Sequence, residues 1–164
     1  MANQPRTARI DAPEKGKKYF TVDEANRASV YISKVVNDIV DSYKRAMELR
    51  GHLAQSGNLT RQLKSKHEKE LDQETDRLTR FCEELDHAGV ELRNYKTGDV
   101  DFPAIYQGRE IRLLWNRGEQ RVNAWHEAGT GYAGSQVGIE ELMKDPSHIE
   151  AARKSMQDRT LQRR

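Results

Sequence analysis

The chain has 164 residues, a third of them charged and 35% apolar, with a formal net charge of +2. That length allows one domain with a modest core. No apolar run reaches the ~20 residues of a membrane span, and the near balance of charge gives no push toward nucleic acid. Cys82 is the only cysteine. It excludes an internal disulfide and the paired thiols of a zinc ribbon or redox motif, and it points to a reducing, cytoplasmic setting.

Residues 1–18 hold five Lys/Arg against two acids, with Pro5, Pro13 and Gly16 and no periodicity. They predict a disordered basic arm with no apolar stretch for a secretory signal. Residues 151–164 hold five Lys/Arg against one acid, so both ends are basic and the middle is balanced. A single α+β domain is expected over 19–138, followed by a helical, basic tail over 139–164.

A helical hairpin is predicted over 21–89. Thr21 and Glu24 form a capping box, T-V-D-E, in which Glu24 reaches back to Thr21, and Phe20 is placed to staple against Ala25. Ala25, Ala28, Ile32, Val35, Ile39, Tyr43 and Ala46 then recur at helical spacing, and Val36, Val40 and Met47 widen the stripe. This first helix should run from about residue 22 to Gly51. After the turn GHLAQSGN, a second helix runs from about residue 59 to Ala88 and stops at Gly89. Its stretch KSKHEKE is polar throughout. Antiparallel packing therefore leaves Val36, Val40 and Met47 uncovered, and the expected remedy is a homodimer through those three residues.

A β-meander is predicted over 90–127, in four short strands: VELRNY, VDFPAIY, REIRLLWN and EQRVNAW. A two-residue loop at Gln107-Gly108 pairs Ala104 with Ile111, Phe102 with Leu113 and Val100 with Trp115. A second such loop at Arg117-Gly118 pairs Leu113 with Val122 and Ile111 with Ala124. The two hairpins agree on one buried face, made of Val100, Phe102, Ala104, Ile111, Leu113, Trp115, Val122, Ala124 and His126. That face should pack on the hairpin, giving a long antiparallel helical hairpin on a small four-stranded antiparallel meander. A glycine-rich loop follows over 128–138. In the tail, IEELMK makes a short turn, and Asp145-Pro146 opens a weak last helix over 146–160.

GTGYAG, residues 129–134, fits the G-x-G-x-x-G pattern of dinucleotide sites. SQVG follows it in place of a helix, and no second strand fits in the residues that remain. The βαβ unit is absent and no nucleotide is implied.

Asp101, His126 and Glu127 have the side chains of metal ligands. In the register above, however, Asp101 lies on the outer face and His126 on the inner face, roughly 17 Å apart at ~3.3 Å per residue. Ligands of one ion must lie within ~2–2.5 Å of it, so no metal is expected. No catalytic or cofactor-binding residue stands out. The outer face, with Asp101, Arg112, Trp125 and Glu127, and with Tyr132 from the glycine loop, is the candidate binding surface.

KYFTVDEAN, two long helices, VDFPAIYQGREIRLLWNRGE and WHEAGTGYAG occur in an order that resembles the bacterial domain of unknown function 2203 family over about residues 17–136. Leu114 departs from the pattern, which has cysteine before the tryptophan. Ser135 departs where arginine follows the glycine, which weakens an anion-binding role for that loop. The tail from Val137 falls outside the pattern. The resemblance implies this fold in a bacterial, cytoplasmic setting and no activity.

The expected function is a non-enzymatic protein-interaction or scaffold module that needs no cofactor. Its partners are a second copy and a protein not identified by the sequence, with no membrane. A metal-binding protein or metal-dependent enzyme using Asp101, His126 and Glu127 is the alternative. RNA or ribosome association through the basic ends comes third.

Overall fold

A computed structural model of the chain describes residues 12–128, 138–145, 148–150, 153, 154, 157 and 160. Its elements follow the expected order. Helix α1 spans Val22–Ala54, a 3-10 turn covers Ser56–Asn58 and helix α2 spans Arg61–Ala88. Strands β1 (Glu91–Leu92), β2 (Val100–Tyr106), β3 (Arg109–Trp115) and β4 (Ala124–Glu127) follow, then a short helix α3 (Ile139–Met143). The sheet is antiparallel with spatial order β1-β2-β3-β4. The architecture is α+β: a long helical hairpin packed against a four-stranded antiparallel sheet.

Local chemistry sets the helix ends. The Thr21 hydroxyl oxygen accepts from Glu24 N at 3.1 Å, and the hydroxyl lies 3.2 Å from Glu24 Oε1. The cap is as expected, except that the carboxylate meets the hydroxyl. Phe20 and Ala25 join the core together, and the Phe20 ring meets Phe102 edge-on at 5.1 Å. Thr60 caps α2 through the backbone N–H of Leu63. Gly89 ends α2 at φ 78°, a left-handed conformation that glycine adopts without steric cost.

The β2–β3 hairpin has the expected register, with Val100, Phe102 and Ala104 opposite Trp115, Leu113 and Ile111. Gln107 and Gly108, both at positive φ, make the turn. The six paired apolar residues of β2 and β3 and the core stripe of α1 form one cluster with Leu85 of α2.

The β3–β4 connection differs from the expectation. A two-residue loop at Arg117-Gly118 would have set Leu113 against Val122. Instead Leu113 pairs with Trp125, Leu114 with Ala124, and Ile111 with Glu127. Residues 116–123 form a longer loop. It is closed by Trp115 Nε1 donating to Glu119 O at 3.0 Å and by Asn116 N donating to Glu119 Oε2 at 3.1 Å. Val122 N donates to Asn26 Oδ1 at 2.8 Å, which ties Val122 to α1 rather than to β3. The shift is an odd number of residues, so every side chain of β4 changes face. Trp125 joins the inner face, against Tyr106 with ring centroids 5.3 Å apart, and Ala124 and His126 move to the outer face.

The other difference concerns α1. Val36 and Val40 are buried within the single chain. The β1–β2 connection covers them, and a Cβ on Gly98 would stand 2.6 Å from Val36 and 3.1 Å from Val40. The first strand is correspondingly short. Only Glu91 and Leu92 pair with β2, and from Arg93 the chain turns over α1, held by Arg93 N donating to Asp99 O and Gly98 N to Asn94 O. Met47 remains exposed.

Residues 14–18 were expected in a disordered arm. Here Glu14 N donates to the Tyr19 hydroxyl, and Lys17 Nζ lies 2.7 Å from Glu110 Oε1. The arm before residue 12 lies outside the described residues, as do most of the glycine loop, with Tyr132, and 12 of the 26 residues of the tail. Residues 148–150 of the last expected helix are described and are helical.

Candidate functional site

The outer face of the sheet carries the densest polar chemistry among the described residues. β2 sets Asp101 on it, β3 sets Glu110 and Arg112, and β4 sets His126, because cross-strand partners share a face. Asp101 and His126, at 3% and 6% exposure, are as buried as core residues. The expected separation of about 17 Å does not occur. His126 Nε2 lies 3.2 Å from Asp101 Oδ1.

Arg93, at the end of β1, enters the same cluster. Its Nη1 donates to Asp101 Oδ2 at 2.6 Å and lies 3.0 Å from His126 Nε2. His126 Nδ1 lies 3.1 Å from the Glu127 carbonyl oxygen, which can only accept, so Nδ1 carries a proton. In the neutral ring Nε2 then accepts from Arg93. In the charged ring Nε2–H donates to Asp101. Both ring nitrogens are thus engaged, which leaves His126 poorly placed to take a proton from a nucleophile.

A second group adjoins this one through Arg112, the cross-strand neighbour of His126. Arg112 Nη1 sits 2.5 Å from Glu110 Oε1 as an ion pair, and Nη2 sits 3.4 Å from Glu91 Oε2. The Tyr19 hydroxyl donates to Glu110 Oε2 at 2.7 Å. Burial pushes the Glu110 carboxyl up, but the hydrogen bonds from Lys17 and Tyr19 and the charge of Arg112 outweigh it, and the group is held below the usual carboxylate range. Burial, reinforced by the bond to Glu110, pushes the Tyr19 phenol well above its ordinary value.

The metal candidates therefore divide. Asp101 and His126 meet, but the Arg93 guanidinium already touches both as the compensating cation. Glu127 lies across from Ile111 on the other face, where its Oε1 pairs with Arg109 Nη1 at 3.0 Å. Among the described residues no group of three or more His, Cys, Asp or Glu gathers to hold a metal ion.

The candidate binding face divides as well. Asp101 and Arg112 are on the outer face as expected, Glu127 is on the inner side at the sheet's end, and Trp125 is a buried core residue at 3% exposure. Cys82, the one cysteine of the chain, is free and half-buried. Burial pushes its thiol up, against the lowering effect of the Tyr95 hydrogen bond, so it is less of a thiolate than a free cysteine.

The sequence profile of the family described as Uncharacterized conserved protein (DUF2203) matches residues 18–137. The chain belongs to that family. The matched span takes in the hairpin, the whole sheet and the polar groups of the outer face apart from Lys17. Comparison with curated proteins and with solved structures gives no match.

Sequence reasoning missed Arg93, Tyr19 and His148. Arg93 and Tyr19 reach the outer face from outside the β2–β3 hairpin that set the register. His148 Nε2 accepts from Val22 N at 3.2 Å and Nδ1–H donates to Ile105 O at 2.8 Å, joining the start of α1 to the edge of β2. The one available signal was Asp145-Pro146, which placed a helix start just before it.

Proposed function

We propose that this family member is a non-enzymatic interaction or scaffold module, cytoplasmic and bacterial, whose presenting surface is the helical hairpin. One observation carries the reading: of the 28 residues of α2, Leu85 alone is buried. A helix of that length with one buried residue adds little to its own core, and its outward surface is open to a partner. The engaged nitrogens of His126 and the raised Cys82 thiol fit a role without catalysis.

A tagged chain should retain a partner from its native host. Reversing charges on the outward face of α2, as in Lys69→Glu with Glu83→Lys, both exposed, should release that partner while the melting temperature holds. Retention that survives those changes would remove the hairpin as the surface.

A second copy is one such partner. With Val36 and Val40 covered, this reading rests on Met47 and on the exposed Val30 and Tyr31 of α1. The metal reading keeps one favourable observation, the contact between Asp101 and His126. It requires Arg93 to leave. Near one equivalent of zinc, iron or manganese per chain after dialysis, lost in His126→Ala, would establish it.

A further inference from the structure

The charge of the hairpin is balanced only as a sum. From Lys44 to Lys69, around the turn, the sequence holds seven Lys/Arg against two acids, Glu48 and Glu68. From Glu70 to Asp86, down the same α2, it holds seven acids against two arginines. The free end of the hairpin is basic and its root is acidic.

The fold sets this basic end away from the sheet. α1 has 33 residues, about 50 Å at ~1.5 Å per residue, whereas strands of 7 residues span about 23 Å. Hydrogen bonds and ion pairs of the described residues 61–77 run only within the hairpin, such as Arg45 Nη2 to Glu70 Oε2 at 3.0 Å. Lys44, Arg50, Arg61, Lys64 and Lys69 are exposed and have no ion-pair partner among the described residues. Lys44 lies beside Lys96 of the β1–β2 connection, so the arm's end itself carries four open cations, Arg50, Arg61, Lys64 and Lys69. They make a local positive field, although the whole chain is nearly neutral.

We infer that the hairpin tip binds the phosphate backbone of a nucleic acid. This goes beyond the interaction-module reading and rests on its premise that the hairpin is the presenting surface. Phosphate oxygens are met by Lys and Arg on flexible stems, which fix position without reading bases. The cations project from both helices, so they can follow a backbone past the tip.

A protein interface of similar size is centred on buried aromatic and apolar anchors and is depleted in lysine. Around the tip Leu63 is exposed at 38%, Leu53 and Leu59 are half-buried, and no Phe, Tyr or Trp occurs from Lys44 to Lys69. An anionic membrane would need an apolar wedge beside the cations, whereas the connection Ala54–Thr60, AQSGNLT, is mostly polar.

The experiment uses the full chain, a fluorescent RNA duplex and a DNA duplex of the same sequence, with anisotropy read across a salt series. Binding should weaken on the order of 10²-fold between about 50 and about 200 mM salt, as expected for about four phosphate contacts. The triple change Arg61→Glu, Lys64→Glu, Lys69→Glu touches only exposed side chains, so helicity and melting temperature should hold while affinity falls at least tenfold. The duplex bound more tightly identifies the nucleic acid. No binding at low salt, or binding unchanged in the triple variant, which would place it on the basic termini, overturns the inference. So does capture by phosphatidylserine vesicles in place of either duplex. If the triple variant releases a protein partner and the wild type binds neither duplex, the nucleic-acid inference falls and the interaction-module reading stands.

Discussion

In the sheet, Phe102, Ala104, Ile111 and Leu113 are sealed from solvent on one face, and Asp101, Glu110 and His126 are nearly as deeply buried on the other. In α2, Leu85 alone is buried. The two regions hold their shape by different means. The sheet relies on apolar burial inside and on paired charges outside, where any unpaired group would be costly. The arm relies on helix formers such as Glu, Lys, Arg and Leu, on caps at Thr60 and Gly89, and on a length well past the ~12–15 residues at which a helix is marginal. Substitutions should therefore be felt strongly in the sheet and hardly at all on the arm.

The sharpest expected contrast is at Trp125. On the inner face against Tyr106, Trp125→Ala should cost about 3–5 kcal/mol, in the same range as Trp115→Ala. Denaturant melts of the two variants check it. A mild Trp125→Ala beside a severe Trp115→Ala would restore the register expected from sequence. Gly98→Ala comes next. It places a methyl group 2.6 Å from Val36 at φ 77° and should cost roughly 1–3 kcal/mol, again read from a melt. A neutral result would mean that the β1–β2 connection does not seal α1.

Glu110 tests the outer face by its dependence on pH. Its folded-state carboxyl is held below the ordinary range, so its stabilising contribution is present above the unfolded value and is lost as pH falls through the lowered folded value. Glu110→Gln should therefore destabilise by about 1–3 kcal/mol at neutral pH. Urea melts should show the gap between wild type and variant closing below about pH 4. A gap that stays constant down to pH ~3 would mean that the carboxylate charge is not what Lys17, Tyr19 and Arg112 stabilise.

The fold was legible where one period dominates a long segment. Ala25 to Ala46 could only be a helix, and Ala104 against Ile111 could only be a hairpin at Gln107-Gly108, because both strands are apolar at alternate positions. The β3–β4 step was not legible. Val122 and Ala124 alternate with polar residues just as a strand should, and a strand through Val122 satisfied the pattern. What overrode it was a bond from Val122 N to the side chain of Asn26, 96 residues away. A side-chain contact at that distance leaves no periodic trace in the sequence. The polar cluster followed from the same step, since the odd shift brought His126 to Asp101. Arg93 joined because the chain leaves β1 after Leu92 to cover Val36, a detour set by the lack of a side chain on Gly98. The uneven charge of α2, by contrast, is plain in the sequence and is hidden only when Lys64 and Glu84 are added into one total.

On the arm the expected effects on stability are small, and Met47 gives the last test. It is the one member of the three-residue stripe that stays exposed, and it lines an open cleft of about 420 Å3 with Val40, Lys44, Glu48 and Lys96. If a second copy docks on α1, Met47 must lie in the contact. Val40→Glu cannot test this, because it would bury a charge and unfold the chain. Met47→Lys can, and lysine is preferred to glutamate because Lys44 and Lys96 flank the site and a new acid would pair with them across a two-fold axis. Its stability should stay within about 0.5 kcal/mol of wild type, as for an exposed position. Light scattering at tens of micromolar should then show a wild-type dimer and a folded Met47→Lys monomer. A monomeric wild type would leave Met47 as an exposed residue beside a basic arm and would remove the second copy from the partners of this chain.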